Sequence, residues 1–393
     1  MTKIFYLIAA LLFVSLQAGA QWSSHNVTFD GMNREYKVYT PAGYNASVPA
    51  SLIVVLHGLQ GTMSDVETIG ITEIADTANI VLVSPQALNF SSPLGLMEAV
   101  WNSGIVLDIP GFGTIPVNAD VDDAGFINSI LEATLLTHNI KEDRIYMAGA
   151  SLGGFMTQKM ACAAGNKLAA IATVMGTYAL ALPLCNPGKV LPMAHFHGTL
   201  DDVVDYQGNF LFGSMSLPIG LSVDELVSSW VTLNDANPTA THTAWPNTNN
   251  DNFWIDHYRY DNAEGQSLVE LFKVNGGTHT WYDYGNTDGE IDYATEIWKF
   301  FNRQYYSTSI AGVNNNKTRL AIFPNPVESH INLPQVFKSG VVSITNMLGQ
   351  LVHRQSVTAG EPIDVSTLGT GTYILQLVSD KNERMAARFV KKN

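Results

Sequence analysis

The stretch that most constrains this chain is Gly149-Ala150-Ser151-Leu152-Gly153, set between a short apolar run at residues 144–148 and a segment of helical character at 155–164. A G-x-S-x-G pentapeptide in that setting turns sharply from strand into helix, and its glycines are needed because a side chain would clash inside the turn. Such a turn lifts the serine hydroxyl above the end of a strand. The neighbouring segments must then read as buried strands alternating with helices.

They do. Residues 52–56 form a continuous apolar run ending in His57-Gly58-Leu59-Gln60-Gly61, and residues 80–83 form a second. A third, 191–196, ends in His197-Gly198-Thr199-Leu200-Asp201, and a fourth, 268–274, precedes Gly276-Gly277-Thr278-His279. Runs of this kind suit parallel strands covered on both faces. Helices are predicted over 67–77, after the Asp122-Asp123 cap along the stripe Phe126, Ile127, Ile130, Leu131 and Leu135, and over 294–303. Residues 27–40 read as strands turning at Asp30-Gly31. Residues 86–118 contain Trp101 but no clear period, and read as a long irregular excursion of the sort that frames binding clefts.

A serine hydroxyl is a weak nucleophile until an imidazole takes its proton and a carboxylate holds that imidazole in the right tautomer. Ser151, Asp201 and His279 each follow a predicted strand, at the strand ends where open α/β sheets bind ligands. Asp202 and Asp205 compete for the role given to Asp201, and His195 and His197 for that given to His279. Backbone amides suffice to stabilise an oxyanion, and those of Leu152 and Leu59 stand where they are needed. His57 itself reads as a structural imidazole in a tight turn. Trp101, Trp281 and Tyr282 either line an apolar substrate cleft or pack in the core.

A length of 393 residues points to two or three domains, and 46% apolar with 14% charged residues fits an ordered globular chain. The net charge of −14 is uneven: residues 1–312 carry 12 Lys and Arg against 30 Asp and Glu, and residues 313–393 carry 9 against 5. The acidic body argues against nucleic-acid binding. Lys3, the apolar residues 4–16 and Ala18-Gly19-Ala20 read as a secretory signal, with a retained anchor as the rival. No later stretch is long and apolar enough for a transmembrane helix, so none is expected in the mature chain. In an exported chain the two cysteines, Cys162 and Cys185, are expected to be joined; the alternative is a pair of buried thiols. No metal-ligand spacing surrounds them, and neither metal nor cofactor is expected.

Taken together, the residues of the body resemble the secreted polyhydroxybutyrate depolymerase and feruloyl esterase group of the α/β-hydrolases. The likeness covers residues 27–304 and rests on Leu56-His57-Gly58, Val121-Asp122-Asp123, Gly149 through Gly154, and Gly276-Gly277-Thr278-His279-Thr280-Trp281. It rests also on His195-Phe196-His197-Gly198-Thr199-Leu200-Asp201 with Val203-Val204. The resemblance implies an α/β-hydrolase fold, a mostly parallel sheet covered by helices on both faces, and a triad of Ser151, Asp201 and His279. It further implies carboxylic-ester substrates and a Cys162–Cys185 disulfide tying the nucleophile helix to the following loop. The family often continues its His-Gly with Cys and a nearby Gln, where this chain has Leu59-Gln60-Gly61, and often has Pro where Asp205 and Tyr282 stand. These departures spare the triad and bear on the acyl-group preference.

Residues 306–318 turn to Ser, Asn and Gly and read as a linker; beyond them short β runs at 341–345, 351–357 and 373–378 suggest a small antiparallel β-sandwich. Its isolated His330 and His353 suit surface or packing roles. Pro324-Asn325-Pro326, Asn346-Met347-Leu348-Gly349-Gln350, Gly371-Thr372-Tyr373 and the basic end Lys391-Lys392 resemble the C-terminal sorting domain of type IX secretion in Bacteroidetes. That implies export across the outer membrane by the type IX machinery, with release or surface attachment. A carbohydrate-binding module is the rival, with few aromatic residues to serve it: Phe323, Phe337, Tyr373 and Phe389.

The expected organisation is a signal peptide at 1–20, a hydrolase body at 21–305, a linker at 306–318 and a sorting domain at 319–393. The expected function is a secreted serine esterase acting on feruloyl or acetyl esters of plant polysaccharide, or on polyesters such as polyhydroxybutyrate. A serine peptidase and a non-catalytic surface binding protein on a hydrolase scaffold are the alternatives.

Overall fold

A computed structural model describes residues 21–92, 95–183, 185–249, 251–287, 289–311, 322–333, 338–346, 351–380 and 384–392. The expected signal peptide lies outside them. The chain divides into two compact units, 1–304 and 305–393.

In the first unit, Asp30 and Gly31 both hold positive φ, 50° and 73°, as a two-residue hairpin turn requires. They join β1 (Gln21–Phe29) to β2 (Met32–Thr40) in antiparallel register. There follow β3 (Ala50–Leu56), β4 (Ile80–Pro85), β5 (Ile140–Ala150), β6 (Ala170–Val174) and β7 (Met193–Gly198). The last three strands of the unit are β8 (Thr241–Ala244), β9 (Trp254–Asp261) and β10 (Ser267–Asn275). They form one ten-stranded sheet ordered β1-β2-β4-β3-β5-β6-β7-β10-β9-β8. The six inner strands are parallel, and two antiparallel strands flank them on each side.

Alternation along β3 shows why the inner runs are wholly apolar. Leu52, Val54 and Leu56 enter one core, with Phe126, Phe155 and Trp230, while Ile53 and Val55 enter the other, with Ile297, Phe300 and Phe301. The first core is covered by α2 (Asp123–Thr137), α3 (Leu152–Ala164) and α4 (Val223–Leu233), the second by α1 (Ile71–Ala78) and α5 (Tyr293–Ala311). This is the α/β-hydrolase arrangement expected from the sequence, with the Gly149–Gly153 turn at the centre of the sheet between β5 and α3.

Three local expectations change. The helix predicted from residue 67 is a short 3-10 turn, Asp65–Thr68, and α1 begins only after Gly70, whose φ of 79° interrupts the two. Residues 86–118 hold two antiparallel pairs, Phe90–Ser92 with Gly95–Met97 and Val106–Ile109 with Gly113–Pro116; strands of three or four residues give too little alternation to read. Finally, α5 runs to Ala311, so 306–311 are helical rather than linker, and 312–318 lie outside the described residues. The Ser and Thr of this stretch, at 307–309, cost a helix only about 0.5 kcal/mol each relative to Ala, too little to end one.

The second unit is a four-stranded antiparallel sheet ordered Leu351–Thr358, Ser339–Asn346, Gly371–Ser379 and Arg384–Lys391, with a two-stranded pair, His330–Ile331 and Ile363–Asp364. Its own core gathers Val327, Ile344, Leu375, Leu377 and Phe389. Tyr373 and Phe389 stack at 5.5 Å within that core, which removes both from any exposed sugar-stacking platform; Phe337 lies outside the described residues.

Candidate active site

Ser151 occupies φ 54°, ψ −121° between β5 and α3, a conformation that a non-glycine residue holds only when its surroundings impose it. Three glycines let backbone close around it. A Cβ on Gly149 would stand 2.2 Å from the Gly153 carbonyl oxygen, one on Gly153 2.2 Å from that of Leu56, and one on Gly176 2.1 Å from that of Ser151 itself. The Ser151 N–H donates to Val174 O at 2.7 Å.

Asp201 and His279 arrive from the loops after β7 and β10. These loops are stitched to each other: Leu200 N–H donates to Gly277 O at 2.8 Å, and Gly276 N–H to Thr199 Oγ1 at 3.0 Å. His279 Nε2 lies 2.9 Å from Ser151 Oγ, and Nδ1 lies 2.8 Å from Asp201 Oδ2 and 2.9 Å from Oδ1. A carboxylate only accepts, so Nδ1 carries the proton and bare Nε2 faces the serine hydroxyl. Asp201 Oδ1 also accepts the Val203 and Val204 N–H groups, each at 2.9 Å.

The rivals sit elsewhere. Asp202 is exposed, and Asp205 accepts from Asn209 and Gln207 at the start of a hairpin. His195 and His197 are fully buried in β7, and burial lowers both their pKa values. His57 is likewise lowered by burial. Its Nε2 accepts the Ala87 N–H at 3.1 Å, which leaves Nδ1–H to donate to Gly58 O at 2.7 Å. The imidazole thereby pins the turn that carries Leu59.

An open cavity of about 590 Å³, mouth included, lies over Ser151, within the size range of small-molecule sites. Leu59 and Leu152 line it beside the serine, and Met97, Phe155, Val203 and Phe210 are among the rest; among the described residues Ser151 supplies its one polar side chain. Gly58 lies close by, since a Cβ there would meet Ser151 Cβ at 3.3 Å. The Leu152 N–H opens α3, where no preceding turn offers it a carbonyl.

The three aromatic residues expected at the cleft are not among its lining. Trp101 is fully buried, its Nε1–H donating to His57 O at 2.9 Å with the indole against the His57 ring. Trp281 is half-buried and packs on Tyr293 at 5.8 Å, against the core on the opposite face of the sheet. Tyr282 is buried in that same core, and its hydroxyl accepts the Thr278 N–H at 2.8 Å, bracing the loop that bears His279. The cavity wall comes instead from aliphatic and Phe side chains of the 86–118 excursion, the segment the sequence offered as a cleft frame, and of residues 203–219, where no residue was singled out as a substrate contact. Cys162 and Cys185 form a disulfide, Cα–Cα 5.2 Å, linking α3 to the loop before β7. Among the described residues no group of three or more His, Cys, Asp or Glu side chains is arranged to hold a metal, and no helix is long and apolar enough to cross a membrane.

Residues 321–392 match a family model described as a secretion system C-terminal sorting domain. Feruloyl esterase B of Piromyces equi is 26% identical over 253 residues, 63% of this chain and 42% of that protein. The bifunctional acetylxylan esterase/xylanase XynS20E of Neocallimastix patriciarum is 27% identical over 183 residues, 45% of this chain and 23% of that one. The chain therefore spans less than half the length of either relative. Among solved structures, an acetyl xylan esterase from Aspergillus awamori is 15% identical, with a TM-score of 0.45, over 72% of this chain and 99% of that one. The body is similar to feruloyl and acetylxylan esterases, and residues 321–392 match a secretion sorting domain.

Proposed function

We propose that the body is a serine carboxylic-ester hydrolase working through an acyl-enzyme, with Ser151 as nucleophile, His279 as general base and acid, and Asp201 orienting the imidazole. The observation that carries this reading is the unbroken run from Ser151 Oγ to His279 Nε2 and from His279 Nδ1 to Asp201, at the floor of an apolar cavity. His279 takes the hydroxyl proton as Oγ attacks the ester carbonyl, then gives it to the leaving alkoxide; a water repeats the cycle to release the acid. The developing oxyanion is held by the Leu152 and Leu59 N–H groups, a contribution of about 3 kcal/mol for each donor in such sites. No cofactor takes part in this chemistry.

The relatives' names point to feruloyl esters and acetylated xylan, so feruloyl and acetyl esters of plant polysaccharide are the candidate substrates; the apolar lining of the cavity also suits a polyester such as polyhydroxybutyrate. The sorting-domain match supports export by the type IX machinery, with the protein secreted or held at the cell surface.

Replacing Ser151 with Ala is expected to lower kcat by about four to six orders of magnitude and leave substrate binding nearly unchanged. The assay is a panel of nitrophenyl esters of rising chain length, methyl ferulate, acetylated xylan and polyhydroxybutyrate. Hydrolysis that survives Ser151→Ala at the parental rate overturns the enzymatic reading, and cleavage of a peptide amide with every ester left intact would favour a peptidase.

A further inference from the structure

Behind Asp201, in the interior of the sheet, lies a row of buried polar groups that the hydrolytic cycle does not use. Thr173 of β6 places Oγ1 2.7 Å from His195 Nδ1, His195 Nε2 lies 3.1 Å from His197 Nδ1, and His197 Nε2 lies 2.8 Å from Val204 O. All three side chains are wholly buried. His197 Nε2 also stands 3.5 Å from Asp201 Oδ2.

The protons in this row have one consistent arrangement. A carbonyl only accepts, so His197 Nε2 carries a hydrogen and donates to Val204 O. Burial keeps the ring neutral, so its Nδ1 is bare and must receive a hydrogen from His195 Nε2. His195 is neutral for the same reason, so its Nδ1 is bare and receives the Thr173 hydroxyl. The reverse arrangement would set the lone pair of His197 Nε2 against two oxygens, Val204 O and Asp201 Oδ2. Donors therefore run one way, from Thr173 to the acid loop, and each bond polarises the next.

The end of the row grips Val204 from its carbonyl side while Asp201 Oδ1 grips it from its N–H side at 2.9 Å. The same Nε2–H turns its positive end toward Asp201 Oδ2, the oxygen nearest His279 Nδ1. We infer that His197, fixed in its tautomer by His195 and Thr173, is a positioning residue: it holds the Asp201–Val204 turn so that the carboxylate meets His279 in line. Its neutrality matters to this role. A second cation here would compete with His279 for Asp201; the other titratable groups around it, Asp205 and Tyr206 with Lys273 over the Tyr206 ring, lie farther along the same loop or on β10.

The inference rests on Ser151, His279 and Asp201 acting as proposed above, and is tested on the full chain with a soluble nitrophenyl ester. His197→Leu removes the donor, whereas His197→Gln keeps an N–H near the place of Nε2. In the Leu variant kcat is expected to fall about 30-fold with KM unchanged, and in the Gln variant to recover to within about fivefold of the parent. The far-downfield proton resonance of the His279–Asp201 bond should broaden or move upfield in the first and persist in the second. Thr173→Val, which removes only the distant hydroxyl, should lower kcat about threefold without changing KM, and gives the answer if the Leu variant does not fold. Parental kcat and resonance in a folded His197→Leu or in Thr173→Val, or equal losses in Leu and Gln variants, would overturn the inference. If Ser151→Ala is inactive while these variants are unimpaired, this inference alone fails; if Ser151→Ala is active, the catalytic reading fails first.

Discussion

His57, His195 and His197 sit inside the body as neutral rings, and burial lowers the pKa of each; the half-buried His138 is lowered by the same cause. In the unfolded chain each titrates near its ordinary value of about 6.5. Below that pH the unfolded state binds protons that the folded state refuses, so stability rises with pH there. The stabilising difference is fully present above about pH 6.5 and is lost as pH falls from there through the lower folded values. Urea midpoints measured between pH 8 and pH 5.5 should therefore decline toward the acid end, and His195→Gln should flatten the decline. A midpoint indifferent to pH in that window would mean that these rings charge without unfolding. Single residues also show where the sequence speaks and where it is silent. That Ser151, Asp201 and His279 are neighbours could be read from the sequence because each follows the end of a strand of one sheet, and strand ends on one edge fix proximity. Trp101, Trp281 and Tyr282 were not, because an aromatic ring beside a catalytic loop serves equally well in the wall of a cleft or in the layer beneath it. Here Trp101 and Tyr282 brace the loops from below, Trp101 through the His57 carbonyl and Tyr282 through the Thr278 amide, while Trp281 packs on Tyr293.

At the scale of the element, the junction of β5 and α3 works because three backbone segments approach more closely than any side chain allows. The Cβ of an alanine at residue 153 would lie 2.2 Å from Leu56 O and 2.5 Å from His57 O, with backbone on every near side. Backbone atoms held in a parallel sheet cannot step aside as a flexible side chain can. Gly153→Ala is therefore expected to push α3 away from β3, costing about 3 kcal/mol or more of stability and displacing Ser151 from His279. Gly43→Ala is the control, since nothing lies within 4 Å of a Cβ there. A Gly153→Ala protein with parental melting temperature and kcat would refute the account of the turn. The buried strands and the hairpin at Asp30-Gly31 were legible from run length and turn chemistry. The short hairpins that shape the cavity were not, for their side chains are specified by packing across the excursion rather than by any periodicity within it.

For the whole molecule, what matters is where the body ends. Its closing helix, α5, packs on the body through its residues up to Gln304. Ile297, Phe300 and Phe301 are fully buried against the sheet, and Arg303 Nη2 meets both oxygens of Glu270 in β10 at 2.8 Å. The Glu270 carboxyl is buried, which alone would raise its pKa, yet His257 and Arg303 together bring it below the ordinary value. Gln304 Nε2–H closes the contact by donating to Ser267 O at 2.9 Å. The sorting-domain match begins only at residue 321, and that unit has a core of its own. A chain ending after Ala311 keeps every one of these α5 contacts and is expected to fold and to hydrolyse nitrophenyl esters within about twofold of the full chain in kcat/KM, because none of the groups proposed for catalysis lies beyond residue 279. A chain cut before Ile297 leaves the apolar face of β10 uncovered, and should be insoluble or inactive. In a host with type IX secretion the chain ending after Ala311 should remain in the periplasm, and residues 312–393 fused to an inert periplasmic reporter should carry it out. Export of the truncated chain, or retention of the fused reporter, would sever the tail from the role its family match supports.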